Sequence, residues 1–154
     1  MTLRTQFNDS LKDAMRAKDQ RAVSTIRMIL AGLKDRDIEA RGRGVTDGID
    51  EAGILSMLQG MVKQRTESAA MYEQGGRPEL AQQEREEIAV VERYLPRQMS
   101  EEEVAAAIDA IVTELGAASI KDMGKVMAEL KARHAGQMDF AKAGGLLKAR
   151  LSGK

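Results

Sequence analysis

The chain has 154 residues, 43% apolar and 31% charged, with 24 Lys/Arg against 24 Asp/Glu and no cysteine. That composition is globular and soluble; it excludes a disordered polymer, a disulfide framework, thiol chemistry and cysteine metal sites. Aromatics are 3% and Trp is absent, so the core must come from Leu, Ile, Val, Met and Ala, which suits helices better than strands. No apolar run nears the ~20 residues of a membrane span, and Met1-Thr2-Leu3-Arg4 has no signal-peptide core. A cytosolic location without a membrane partner is expected.

Leu3, Phe7, Leu11, Ala14 and Met15 follow an i, i+4, i+8 pattern and predict a first amphipathic helix. Val23, Ile26, Leu30 and Leu33 predict a second over about residues 19–41, with Asp19 as N-cap and Arg41-Gly42-Arg43-Gly44 as its stop. A third spans about residues 50–74, with Ile54, Leu58, Met61, Arg65, Ala69 and Tyr72 on one face. Gly75-Gly76-Arg77-Pro78 ends it, glycine past the last turn and proline just inside the next helix. The fourth helix carries Leu80, Ile88, Val91 and Leu95, with Glu84, Glu86, Glu87 and Glu92 expected on its solvated face.

Pro96 disfavours helix at Leu95 and removes a backbone donor, so it marks a boundary between subdomains 1–95 and 96–154. Ser100 and Glu103 form a capping box for a fifth helix carrying Val104, Ile108, Ile111 and Leu115, and Gly116 closes it. Ser119-Ile120-Lys121-Asp122 reads as the cap of a sixth helix, with Met123, Val126, Met127 and Leu130 below it and Ala135-Gly136 as its stop. Asp139 caps a last helix with Phe140, Leu147 and Leu151 on its apolar face. The predicted fold is all-α, about seven helices: four, a proline hinge, then three.

Catalytic constellations are absent from the sequence. His134 is the single histidine, which rules out a multi-histidine metal cluster and leaves any Ser-His-Asp triad one candidate base. It lies near a predicted helix C-terminus, where a partly positive ring suits the dipole. No phosphate-binding P-loop or dinucleotide fingerprint is present, and no Ser-x-x-Lys pair. Glu101-Glu102-Glu103 reads as an acid-rich first turn rather than a cation site. No metal or cofactor is expected.

Charge is uneven. Residues 1–43 hold ten Lys/Arg against six Asp/Glu, and residues 121–154 hold eight against three, while the middle is acidic. Phosphate affinity follows local basic patches rather than net charge. Arg27, Lys34 and Arg41 are seven apart on the second helix, and Lys63 and Arg65 sit in the middle of the third; each can contact phosphate, or cover apolar surface with its stem. Lys121 and Lys125 are four apart in the first half of the sixth helix, where the dipole disfavours cations, so an anionic partner is inferred. Gly124 between them costs roughly 1 kcal/mol against alanine in a helix, and it lets a partner approach the backbone. Gly144-Gly145 in the last helix reads as close helix–helix packing.

Ile26-Arg27-Met28, Lys63-Gln64-Arg65-Thr66-Glu67-Ser68, Tyr94-Leu95-Pro96, Gly116-Ala117-Ala118-Ser119 and Asp122-Met123-Gly124-Lys125-Val126-Met127, in that order, resemble successive blocks of the GatB/YqeY family, in its free-standing YqeY-like form. The residues from Pro96 onward are similar to the tail domain of GatB, a subunit of the glutamine-dependent aminoacyl-tRNA amidotransferase. Gly124-Lys125-Val126-Met127 matches one tail element; Gly136-Gln137-Met138-Asp139 matches a second, with Gln137 where that element has a basic residue and Met138 where it has a small one. The resemblance implies binding of tRNA or other structured RNA, and association with an amidotransferase or other translation components. The RNA-contacting candidates are Lys121, Gly124, Lys125, Lys131, Arg133, Gly136, Gln137 and Lys142. Family-wide description also extends carbon–nitrogen ligase activity to such chains, but the kinase and amidase sites of the amidotransferase lie in domains for which this chain has no room. A third reading is a protein–protein adaptor that uses the adaptable methionines Met57, Met61, Met123 and Met127.

Overall fold

Local signals at the helix ends set the element order. In the computed structural model, which describes residues 2–153, Thr2 opens α1 (Leu3–Ala17) by accepting the Thr5 N–H at 3.2 Å. Lys18, in the left-handed region at φ 58°, closes it, and the Asp19 carboxylate accepts the Ala22 N–H at 3.1 Å to start α2 (Gln20–Gly42). A two-residue connection folds the helices into an antiparallel pair, and Arg4 near the start of α1 reaches Asp37 near the end of α2. Asp50 caps α3 (Glu51–Gln74) through the Gly53 N–H at 2.8 Å, and Pro78 occupies the first position of α4 (Pro78–Glu92). The short Gly75-Gly76-Arg77 connection turns the chain back, and the Arg65–Glu87 and Arg85–Glu73 pairs fit α3 and α4 running antiparallel.

The chain divides into two compact units, Met1–Leu95 and Pro96–Lys154. In the first, Phe7, Ile26, Ile29, Ile54, Leu58 and Val91 are fully buried, and the Phe7 and Tyr94 rings meet edge to face at 4.9 Å. The second is built from α5 (Glu101–Leu115), a 3-10 turn (Ile120–Asp122), α6 (Met123–Arg133) and α7 (Phe140–Gly153). Its core is Ile108, Ile111, Val126, Leu130, Ala143 and Leu147. The Ser100–Glu103 capping box forms with both bonds in place, at 3.1 and 2.8 Å, and Gly116 ends α5 at φ 66°. Among the described residues there are seven α-helices and no strand, so the all-α expectation holds.

Several sequence expectations need correction. Leu115, expected on the apolar face of α5, is 43% exposed. Met15 is 51% exposed, so the apolar face of α1 stops short of it. The core face of α4 is Ala81, Val90 and Val91, with Leu80 and Ile88 at its half-buried margin. Glu87 is buried on that same face at 5% exposure, and Glu84 is half-buried, so neither belongs to a solvated face. Gly144 and Gly145 do not mediate close packing: a methyl at Gly145 would meet nothing within 4 Å, and one at Gly144 would meet the Met123 and Met127 methyls at an ordinary 3.9 Å.

Candidate functional site

Lys121 lies in the 3-10 turn that precedes α6, not in the helix itself, while Lys125 sits in the first turn of α6. Both are exposed. Between them the Asp122 carboxylate accepts the backbone N–H groups of Ala118, at 2.9 Å, and Ser119, at 3.3 Å. Those bonds hold its pKa below the usual aspartate range, and the charges of Lys125 and Lys121 add to the effect. The acid is therefore committed to the turn. Neither lysine makes an ion pair within 4.0 Å with a described residue.

Gly124 is exposed, and an added methyl would meet nothing within 4 Å. No packing inside the chain accounts for a glycine in this helix. Its cost of roughly 1 kcal/mol relative to alanine is left without an internal offset.

Farther along α6, Lys131 and Arg133 are exposed. Lys131 makes no ion pair with a described residue. Arg133 instead donates two parallel hydrogen bonds to Glu114 at 2.9 Å and a third to Glu129 at 2.7 Å. Those bonds raise the Arg133 pKa and lower that of Glu114. Gly136, at φ 75°, is buried, and its carbonyl accepts from Gln98 Nε2 at 2.7 Å. Gln137 is half-buried; its carbonyl accepts the Met99 N–H at 2.9 Å and its side-chain oxygen lies 3.0 Å from His134 Nδ1. The glutamine thus has a structural use that the sequence did not suggest.

Lys142 opens onto another surface. With Gln137 it lines a cleft of about 770 Å³ between the starts of α5 and α7, whose walls include Met99, Met138 and Leu146 and whose rim carries Glu101 and Glu102. The eight candidates thus separate. Lys121, Gly124, Lys125 and Lys131 lie along the turn and α6, Gln137 and Lys142 line the cleft, and Arg133 and Gly136 are engaged by the chain itself.

One charged cluster escaped the sequence reading. Arg65, 14% exposed, reaches Glu84 at 3.9 Å and Glu87 at 4.0 Å, and Arg21 approaches Glu87 at 4.0 Å. Burial raises the Glu84 pKa, and the neighbouring Glu87 raises it further. The guanidinium also donates to Met28 Sδ at 3.5 Å, while its Nε finds no hydrogen-bond partner. A signal was present: Arg65 falls on the apolar face of α3, so it required an acid from another element. Among the described residues no group of three or more His, Cys, Asp or Glu is arranged to hold a metal ion, and no helix is long and apolar enough to cross a membrane.

A family model described as Yqey-like protein matches residues 4–151. Among curated proteins, the chain is 33% identical over 107 residues to the altered inheritance of mitochondria protein 41, mitochondrial, of Lachancea thermotolerans, covering 68% of this chain and 55% of that one. The protein of the same name from Eremothecium gossypii is 35% identical over 111 residues, covering 71% and 58%. The matched region spans little more than half the length of these relatives, which are mitochondrial by name.

Proposed function

This chain belongs to the YqeY-like family, and from that premise we propose that it is a helical module that binds tRNA or another structured RNA without carrying out a reaction of its own. The observation that carries the reading is Gly124: an exposed helical glycine with open space above it, set between two exposed lysines that make no ion pair within 4.0 Å with a described residue. The neighbouring Asp122 is hydrogen-bonded to the Ala118 and Ser119 N–H groups. A phosphate can approach the α6 backbone there, with Lys121 and Lys125 on either side and Lys131 farther along. With few aromatic residues to stack bases, recognition rests on backbone and shape, as duplex or elbow RNA permits. The cytosolic location expected from composition is part of the proposal; the relatives named above are mitochondrial, and an RNA partner in translation is available in either compartment.

The test is a salt titration of binding to bulk tRNA, wild type beside Lys121→Glu with Lys125→Glu. Log affinity should fall with log salt by roughly 0.7–0.9 per neutralised phosphate. The double variant should bind more weakly with a shallower slope. An unchanged affinity in the variant would remove α6 from the interface.

A second reading has one observation in its favour. The cleft between α5 and α7 exposes Leu146 at 48% beside the half-buried Met99, a surface suited to a protein partner. Of the methionines expected to serve an adaptor, by contrast, Met57 is 3% exposed in the core and Met61, Met123 and Met127 are half-buried. Recovery of a protein partner after nuclease treatment, lost on Leu146→Glu, would favour an adaptor.

A further inference from the structure

The strongest unassigned feature lies in the first unit, on the furrow between α1 and α2. Arg27, Lys34 and Arg41 are all exposed. Seven-residue spacing returns each nearly to the same side of the helix, about 10 Å beyond the last. Lys34 and Arg41 line a depression of about 410 Å³ together with Arg4, Asn8, Asp37 and Ile38. Arg27 lines a second, of about 280 Å³, with Lys18 and Gln20. Residues from both helices line each depression, so the cations edge two concavities along the helix pair and do not crown a convex surface.

Most acids of the two helices are already engaged; Asp37 lies in the first depression itself, where Arg4 holds it and the Arg41 charge also acts on it. Glu39 is held by Arg43 at 2.8 Å and Asp13 by Arg16 at 3.3 Å. The Asp19 carboxylate caps α2. Asp35 follows Lys34 directly and so points about 100° away around the helix. Arg27, Lys34, Arg41 and Lys18 make no ion pair with a described residue.

We propose that the α1–α2 furrow is a second polyanion-binding surface, which takes the phosphate backbone of an RNA. A ridge of phosphates enters a furrow edged by spaced cations, and guanidinium groups match phosphate oxygens two at a time. A flat anionic bilayer fits less well: the exposed apolar residues Met15 and Ile38 line separate depressions and form no continuous face to insert. This surface stands independently of the one on α6, since its residues and its unit are different.

The experiment is binding of fluorescently labelled bulk tRNA to the full chain over a salt series, with three variants. Arg27→Glu/Lys34→Glu/Arg41→Glu should lower affinity tenfold or more at low salt and reduce the log–log slope by about two to three. Arg27→Gln/Lys34→Gln/Arg41→Gln, with helicity followed by circular dichroism, should show the same loss in milder form. Lys63→Glu/Arg77→Glu/Arg93→Glu alters the same number of exposed charges in the same unit and should leave affinity within about threefold by the same accounting. The furrow is overturned if its variants match wild type, if the control triple loses as much, or if wild type binds no RNA. It is also overturned if the furrow variants lose binding to phosphatidylserine-containing vesicles while tRNA binding is unchanged. If the furrow triple weakens binding and Lys121→Glu/Lys125→Glu does not, the furrow stands and the α6 reading falls; the converse result removes the furrow alone.

Discussion

Arg4 grips Asp37 through two parallel hydrogen bonds of 2.8 and 2.9 Å, tying the first turn of α1 to the last third of α2. The same carboxylate accepts the Ile49 N–H at 2.9 Å, and Arg4 also donates to the Ile49 carbonyl, so one ion pair anchors both the helix pair and the loop that leads to α3.

The Arg4 guanidinium and the Ile49 N–H hold the Asp37 pKa at about 2. An unfolded aspartate titrates near 3.9. A folded value below the unfolded one contributes stability that is present above about pH 4 and lost as pH falls through about 2. Asp37→Ala should cost roughly 2 kcal/mol at neutral pH, since it leaves a cation and a backbone donor without their acceptor. It should also flatten the acid limb of the stability profile, read by urea unfolding from pH 6 to pH 2. An unaltered acid limb would refute this assignment.

Arg65 offers a sharper contrast. Arg65→Ala removes one of the two cations beside the buried Glu87, Arg21 being the other, and should cost up to roughly 3 kcal/mol. Glu84→Gln should act in the other direction at neutral pH. The raised pKa of Glu84 means its contribution is favourable when protonated and is lost as pH rises through the folded value. Denaturant midpoints of the two variants at pH 7 should therefore move apart.

Two open helical glycines separate stability from binding. A methyl at Gly124 or at Gly145 meets nothing within 4 Å, so each alanine variant should gain up to about 1 kcal/mol of stability. On the proposed function, Gly124→Ala also loses RNA affinity because it holds a phosphate away from the backbone, and Gly145→Ala does not. Melting temperatures and tRNA affinities of the pair decide it; equal affinities would break the link between Gly124 and RNA.

Gly136 should behave in the opposite way. It is buried at φ 75°, where a side chain costs about 1–2 kcal/mol of backbone energy. Gly136→Ala should destabilise the second unit, and Gln98→Ala should cost about 1 kcal/mol by leaving the Gly136 carbonyl without its donor. Hydrogen exchange in α5 to α7 reports both.

The helices and their ends were legible in the sequence, because those signals act within about four residues. Apolar spacing defined most of the buried faces, and Asp19, Ser100 with Glu103, and Gly116 stand at the helix ends where their chemistry places them. The family was legible too, since ordered blocks along the chain carry it. Tertiary structure decided which charges remain free. Arg65 meets acids 19 and 22 positions away, Arg133 meets Glu114, and Gln98 meets the Gly136 carbonyl. Such pairs form only when packing brings distant elements together, so periodicity cannot distinguish a lysine that stays free from an arginine whose charge is already taken.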